Sequence, residues 1–211
     1  MSEPRAHATS IDTLVPGVTH YHLEDERIET RSDAYVVASP DGAILIDPLP
    51  LAESAFASIG RIAAIVLTTP HHQRSAWRLR RASDVKVRAP RGAKGLLELP
   101  DLEYAEGDRL PGGLQAVHAP GPDPAHHVLF LAVGPGLVFL GDLLLRQADG
   151  MVRHLRPDYL PDPEGARRSL RRILEGSFDV VAFAHGAPIT RGGRAALAEV
   201  AARDAAAGEV S

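Results

Sequence analysis

Histidine and aspartate sit where apolar runs stop. His71 and His72 lie in Thr68-Thr69-Pro70-His71-His72-Gln73-Arg74, directly after the β-branched run 62–67. Asp142 follows Phe139-Leu140-Gly141, and His185 follows the apolar stretch 180–184. Asp123, His126 and His127 precede another apolar run at 128–133. Imidazole and carboxylate are side chains that hold divalent ions and move protons near neutral pH. The ends of buried strands are where layered α/β proteins usually place their chemistry. The chain has no cysteine, which excludes a thiolate zinc site, a cysteine nucleophile and a disulfide framework. Spacing leaves open which of the adjacent His71 and His72 turns inward.

The surrounding pattern supplies the elements. Residues 18–23, 34–38 and 43–46 read as strands, with Asp41-Gly42 a hairpin turn between the last two. Residues 51–59 read as a short helix and 62–67 as a buried strand. A helix is expected over 75–82. Strands follow at 85–89, 114–118, 128–133 and 137–140. The helix expected over 163–175 has Asp162 as N-cap, Pro163 in its first turn and Gly176 beyond its end. A strand at 180–184 and a helix at 194–203 complete the order. One domain over 1–211 is expected, with 1–12 and 204–211 loose.

The chain has 211 residues, 45% hydrophobic and 24% charged, with a net charge of −4. Those values suit a soluble globular protein of bacterial type and demand neither nucleic acid nor a membrane as partner. The N-terminal residues do not read as a signal peptide, and the cytoplasm is the expected location. Two basic clusters stand out: Arg78, Arg80, Arg81, Lys86, Arg88 and Arg91, then Arg167, Arg168, Arg171 and Arg172. They read as solvated helix faces. Trp77 is the main aromatic residue nearby, so stacking on single strands has little support. His20 and His22 alternate along a strand and read as solvated. Asp47 reads as a brace for the loop structure.

Five segments in order resemble the metallo-β-lactamase superfamily. They are Gly42 to Pro48, ending in Asp47-Pro48; Ile65-Val66-Leu67-Thr68; Ala119-Pro120-Gly121; Phe139-Leu140-Gly141-Asp142; and Ala184-His185-Gly186. The resemblance implies an α/β (α+β) fold, a four-layer αβ/βα sandwich, and a centre of two metals. It also implies the loop His-x-His-x-Asp-His after the second segment. Here Thr69, Gln73 and Arg74 replace three of those ligands, and Pro122 replaces a histidine after Pro120-Gly121. His71, Asp142 and His185 keep ligand positions, with His72, Asp123 and His126 as candidate substitutes. His71, His72, Arg74 and Asp142 are the candidate catalytic residues. Arg74 is expected to pair with Asp142 and stand in for part of the lost metal charge.

Two readings follow from a largely dismantled dinuclear centre. One is a pseudoenzyme whose cleft binds a small anion or a partner protein, with no tightly bound cofactor. The other is a hydrolase of an ester, thioester or phosphoester with one weakly held zinc, manganese or iron ion. A nucleic-acid module using the basic face is a distant third. Substrate and oligomeric state stay open.

Overall fold

The computed structural model describes residues 3–208. One seven-stranded sheet takes its strands in chain order: β1 (Asp12–Val15), β2 (Val18–Asp25), β3 (Thr30–Ser39), β4 (Gly42–Ile46), β5 (Ile62–Val66), β6 (Lys86–Pro90) and β7 (Leu102–Tyr104). The first four pair antiparallel and the last four parallel. Helix α1 (Glu53–Ile59) links β4 to β5, and α2 (Ala76–Ser83) links β5 to β6. The second sheet contains β8 (Leu114–His118), β9 (His127–Leu131) and β10 (Leu137–Phe139). After a small hairpin, β11 (Leu145–Arg146) and β12 (Val152–Arg153), and helix α3 (Pro163–Ile173), comes its last strand, β13 (Val180–Ala182). Its order is β13-β10-β9-β8, and α4 (Gly193–Gly208) ends the described chain.

Strand side chains alternate between faces, and here both faces are apolar. In β4, Ile44 and Ile46 point to the inter-sheet core while Ala43 and Leu45 point to the helices. In β13, Val180 and Ala182 face the inter-sheet core, and Val181 packs outward with Leu170 of α3 and Leu197 of α4. Three apolar layers therefore separate four structural ones, helix–sheet–sheet–helix. Two-sided burial explains why these strands are unbroken apolar runs. Among the described residues no helix is long and apolar enough to cross a membrane.

Several expectations shift. Strand β1, strand β7 and the β11–β12 hairpin were not anticipated; β7, β11 and β12 have two or three residues each, too few to show a period. The segment expected to be loose at 1–12 is anchored where described. Ala8 is buried and bridges to Leu51, and Glu3 accepts from Ser75 Oγ at 2.5 Å and pairs with Arg78 at 2.7 Å. At the other end α4 runs on to Gly208; residues 1, 2 and 209–211 lie outside the described range. The arginine clusters face acids: Arg80 meets Asp101, Arg81 meets Glu98, Arg167 meets Glu164 and Arg172 meets Glu106. Exposed pairs of this kind contribute only ~0–1 kcal/mol each. Their consequence is a patchwork surface rather than a basic stripe.

Candidate metal centre

The strands deliver polar groups to one end of the sandwich. Past β5, Thr69 caps a single 3-10 turn, Pro70–His72, with its hydroxyl accepting from the His71 amide. That turn decides between the two histidines. His72 is buried at 3% exposure, while the His71 side chain is 51% exposed, its Nε2 3.5 Å from Asp123 Oδ2. His72 faces inward and His71 stands at the mouth.

His72, Asp142 and His185 converge. Asp142 Oδ1 lies 3.1 Å from His72 Nε2 and 3.4 Å from His185 Nε2, and the two rings are 5.6 Å apart at 66°. Each histidine is held from behind. His72 Nδ1 reaches Asp47 Oδ2 at 3.0 Å, and His185 Nδ1 reaches the Arg31 carbonyl at 3.0 Å. Both partners are acceptors, so each ring carries its proton on Nδ1 and turns Nε2 toward Asp142. Burial pushes the His72 ring down, but the Asp142 and Asp47 carboxylates outweigh it and hold the ring above its usual value. Burial likewise pushes Asp142 up, and the two histidines reverse this and hold it well below the carboxylate range.

Asp142 Oδ1 is buried yet makes no hydrogen bond of acceptable geometry, although two imidazole nitrogens flank it. Buried polar atoms are nearly always satisfied. The separations of 3.1 and 3.4 Å match the ~3.3 Å edge of a tetrahedron with 2.0–2.1 Å ligand bonds. The trio therefore fits a divalent ion: two imidazoles and a carboxylate whose ligand atoms lie together, backed by second partners. These three residues form one of two such groups among the described residues.

The second group, His20, His22 and Asp33, does not fit. Asp33 Oδ1 accepts from His20 at 2.6 Å and from Arg31 at 2.8 Å, and Asp33 Oδ2 accepts the Gly186 amide at 2.8 Å. Its oxygens are spent, and Arg31 adds a fixed charge. His20 is buried rather than solvated, packed against Tyr35 and hydrogen-bonded to Asp33 of the neighbouring strand β3. This cluster is a brace for the loop that carries His185.

His126 is close by but committed. Its Nδ1 donates to the Ala119 carbonyl at 2.8 Å, and its Nε2 accepts the Asp142 amide at 3.0 Å. Burial pushes its pKa down to about 4, so the ring stays neutral. With both nitrogens used it positions Asp142 and has no lone pair left for an ion. Asp123 lies at the mouth beside His71.

Arg74 does not pair with Asp142. It is buried, with φ +30°, and Nη1 donates to the carbonyl oxygens of Asp33 at 2.9 Å and Asp47 at 3.1 Å. The strand-end carbonyls capture the guanidinium before it reaches the carboxylate.

The family model described as the metallo-beta-lactamase superfamily matches residues 16–204. The chain belongs to the metallo-beta-lactamase superfamily. Solved members of this fold superpose over nearly the whole chain. The DIM-1 metallo-beta-lactamase is similar with a TM-score of 0.76 at 17% identity, covering 93% of this chain and 96% of that one. The FIM-1 enzyme from Pseudomonas aeruginosa, solved in its mono-zinc form, gives 0.70 at 16% identity over 94% and 96%. A superfamily protein from the archaeon Sulfolobus tokodaii gives 0.66 at 18% identity over 95% and 86%. No curated protein matches the chain. At these identities the likeness carries the fold alone. The superfamily usually binds zinc, and this chain has candidate groups for it.

Asp47 braces the loop as expected, through the Thr68 amide and hydroxyl, but its contact with His72 and the part played by the Arg31 carbonyl were not anticipated. An Asp directly after the apolar run 43–46 was the available signal for Asp47. For Arg31 there was none, because it acts through its backbone.

Proposed function

We propose that this protein is a metal-dependent hydrolase with one divalent ion held by His72, Asp142 and His185. The observation that supports this reading is the convergence of three ligand atoms, with Asp142 Oδ1 3.1 Å from His72 Nε2 and 3.4 Å from His185 Nε2. A fold neighbour solved in a mono-zinc form is consistent with a single ion in this architecture. Two imidazoles and a carboxylate suit zinc, manganese or iron. When bound, such an ion would supply a Lewis acid for a carbonyl or phosphoryl oxygen and would make a water more acidic.

The chain's own residues do the rest. Asp47 and the Arg31 carbonyl fix the histidine tautomers. His126 fixes the Asp142 backbone. His71, exposed at the mouth beside Asp123, is the imidazole free to carry a proton to a leaving group. Esters, thioesters and phosphoesters are the substrate classes this set serves.

The test is metal analysis of tag-free protein offered zinc, manganese and iron in turn. About one ion per chain, lost in Asp142→Ala and His185→Ala, supports the reading, and esterase and phosphodiesterase screens follow. Metal far below one per chain under all three offers overturns it and leaves a binding protein on a hydrolase fold.

A further inference from the structure

The buried charges around the trio suit one divalent ion and not two. Asp25 is neutralised by Arg27, with contacts of 2.8 and 2.5 Å, and Asp33 by Arg31 at 2.8 Å. Beyond those pairs, Asp47, Asp142 and Arg74 remain buried at the site. Two carboxylates and one guanidinium leave one negative charge. Asp123 sits at the mouth against His71, where water screens it. One divalent ion brings the set to a single positive charge; a second would bring it to three.

We propose that Arg74 is a built-in cation that limits the centre to one divalent ion. The inference rests on the reading that His72, Asp142 and His185 hold that ion. Arg74 cannot give up its proton. Nor can it swing clear, because Nη1 is pinned to the Asp33 and Asp47 carbonyls and the side chain is buried. Its Nη2 is buried with no hydrogen-bond partner. Its charge acts on Asp47, Asp142, Asp33 and Asp25 together.

The other residues that could serve a second ion are also committed. Gln73 Nε2 donates to the Pro70 and Gly95 carbonyls, and its Oε1 accepts from Trp77 Nε1 and the Leu97 amide. Thr69 Oγ caps the 3-10 turn. Both nitrogens of His126 are used. His71 faces the mouth. A second ion would meet a fixed like charge, with Gln73, Thr69 and His126 already held by other partners.

The experiment titrates chelator-treated, tag-free full-length protein with zinc, reading stoichiometry by native mass spectrometry and Kd by competition with a chromophoric chelator. The wild type is expected to plateau at one ion per chain. Arg74→Lys keeps the charge and should keep that plateau. Arg74→Gln removes the charge while retaining a donor for the carbonyls, and should bind its first ion about tenfold more tightly or better. Two tightly held ions in the wild type overturn the role of Arg74 while leaving the metal centre standing. An Arg74→Gln protein that is folded by circular dichroism yet binds zinc no more tightly also overturns it. No zinc in the wild type overturns the metal centre itself.

Discussion

His72 donates Nδ1–H to Asp47 Oδ2 at 3.0 Å, and Asp47 is itself fixed by the Thr68 amide at 2.8 Å and the Thr68 hydroxyl at 2.5 Å. A carboxylate behind a histidine sets its tautomer and raises its basicity toward an ion. Asp47 holds φ +48°, a left-handed conformation that Asp tolerates better than most residues. Asp47→Ala should weaken zinc binding by about 10–100-fold, with Asp47→Asn intermediate because its amide oxygen can still accept. Competition with a chelator measures both. Equal affinity in Asp47→Ala and wild type would remove Asp47 from the centre.

The adjacent histidines should behave in opposite ways. His72→Ala removes a buried ligand and should abolish stoichiometric metal. His71→Ala removes a half-exposed ring and should leave metal content unchanged, while lowering turnover of an alkyl ester by about 10²-fold and that of an activated ester, whose leaving group needs no proton, far less. Metal content by elemental analysis alone separates the two. Loss of metal in His71→Ala would reverse the assignment.

The layered fold was legible because β4, β5, β10 and β13 are buried on both faces, and two-sided burial writes an apolar run into the sequence. Asp142 and His185 stood out as candidates for the same reason, since each stands where such a run stops. The choice between His71 and His72 was not. It depends on a three-residue 3-10 turn, and three residues carry no period. Nor was the destination of Arg74, because the carbonyls that hold it come from Asp33 and Asp47, 41 and 27 residues away in the chain. His20 read as solvated because alternation along β2 does not show that Asp33 and Tyr35 of β3 enclose its ring. Contacts closed between elements leave no local trace.

Gly186 should be intolerant of any side chain. It sits at φ +112°, and an added Cβ would collide with the Arg146 carbonyl. Gly186→Ala combines backbone strain of roughly 1–3 kcal/mol with displacement of the adjacent His185. The expected result is a lower Tm and loss of metal together. Gly17→Ala, at φ +80° with open space around it, provides the control: strain lowers Tm but metal content stays. Metal retained at full stoichiometry in Gly186→Ala would show that His185 is not held through this loop.

Asp33 should make the fold sensitive to acid. Burial raises its pKa, but the His20 and Arg31 contacts outweigh burial, so the folded value lies below the ordinary one. Such a carboxylate binds a proton more readily in the unfolded chain. Its stabilisation is complete above the unfolded value of ~4 and is lost as pH falls through the lower folded value. Thermal melts of metal-free protein from pH 7 down to pH 2.5 should therefore show Tm falling below about pH 4. Asp33→Asn keeps the shape and loses the charge. It should melt lower at pH 7 and show a shallower fall in acid. A variant whose acid limb runs parallel to the wild type would place the acid sensitivity on other carboxylates and reduce Asp33 to a neutral spacer under the 184–186 loop.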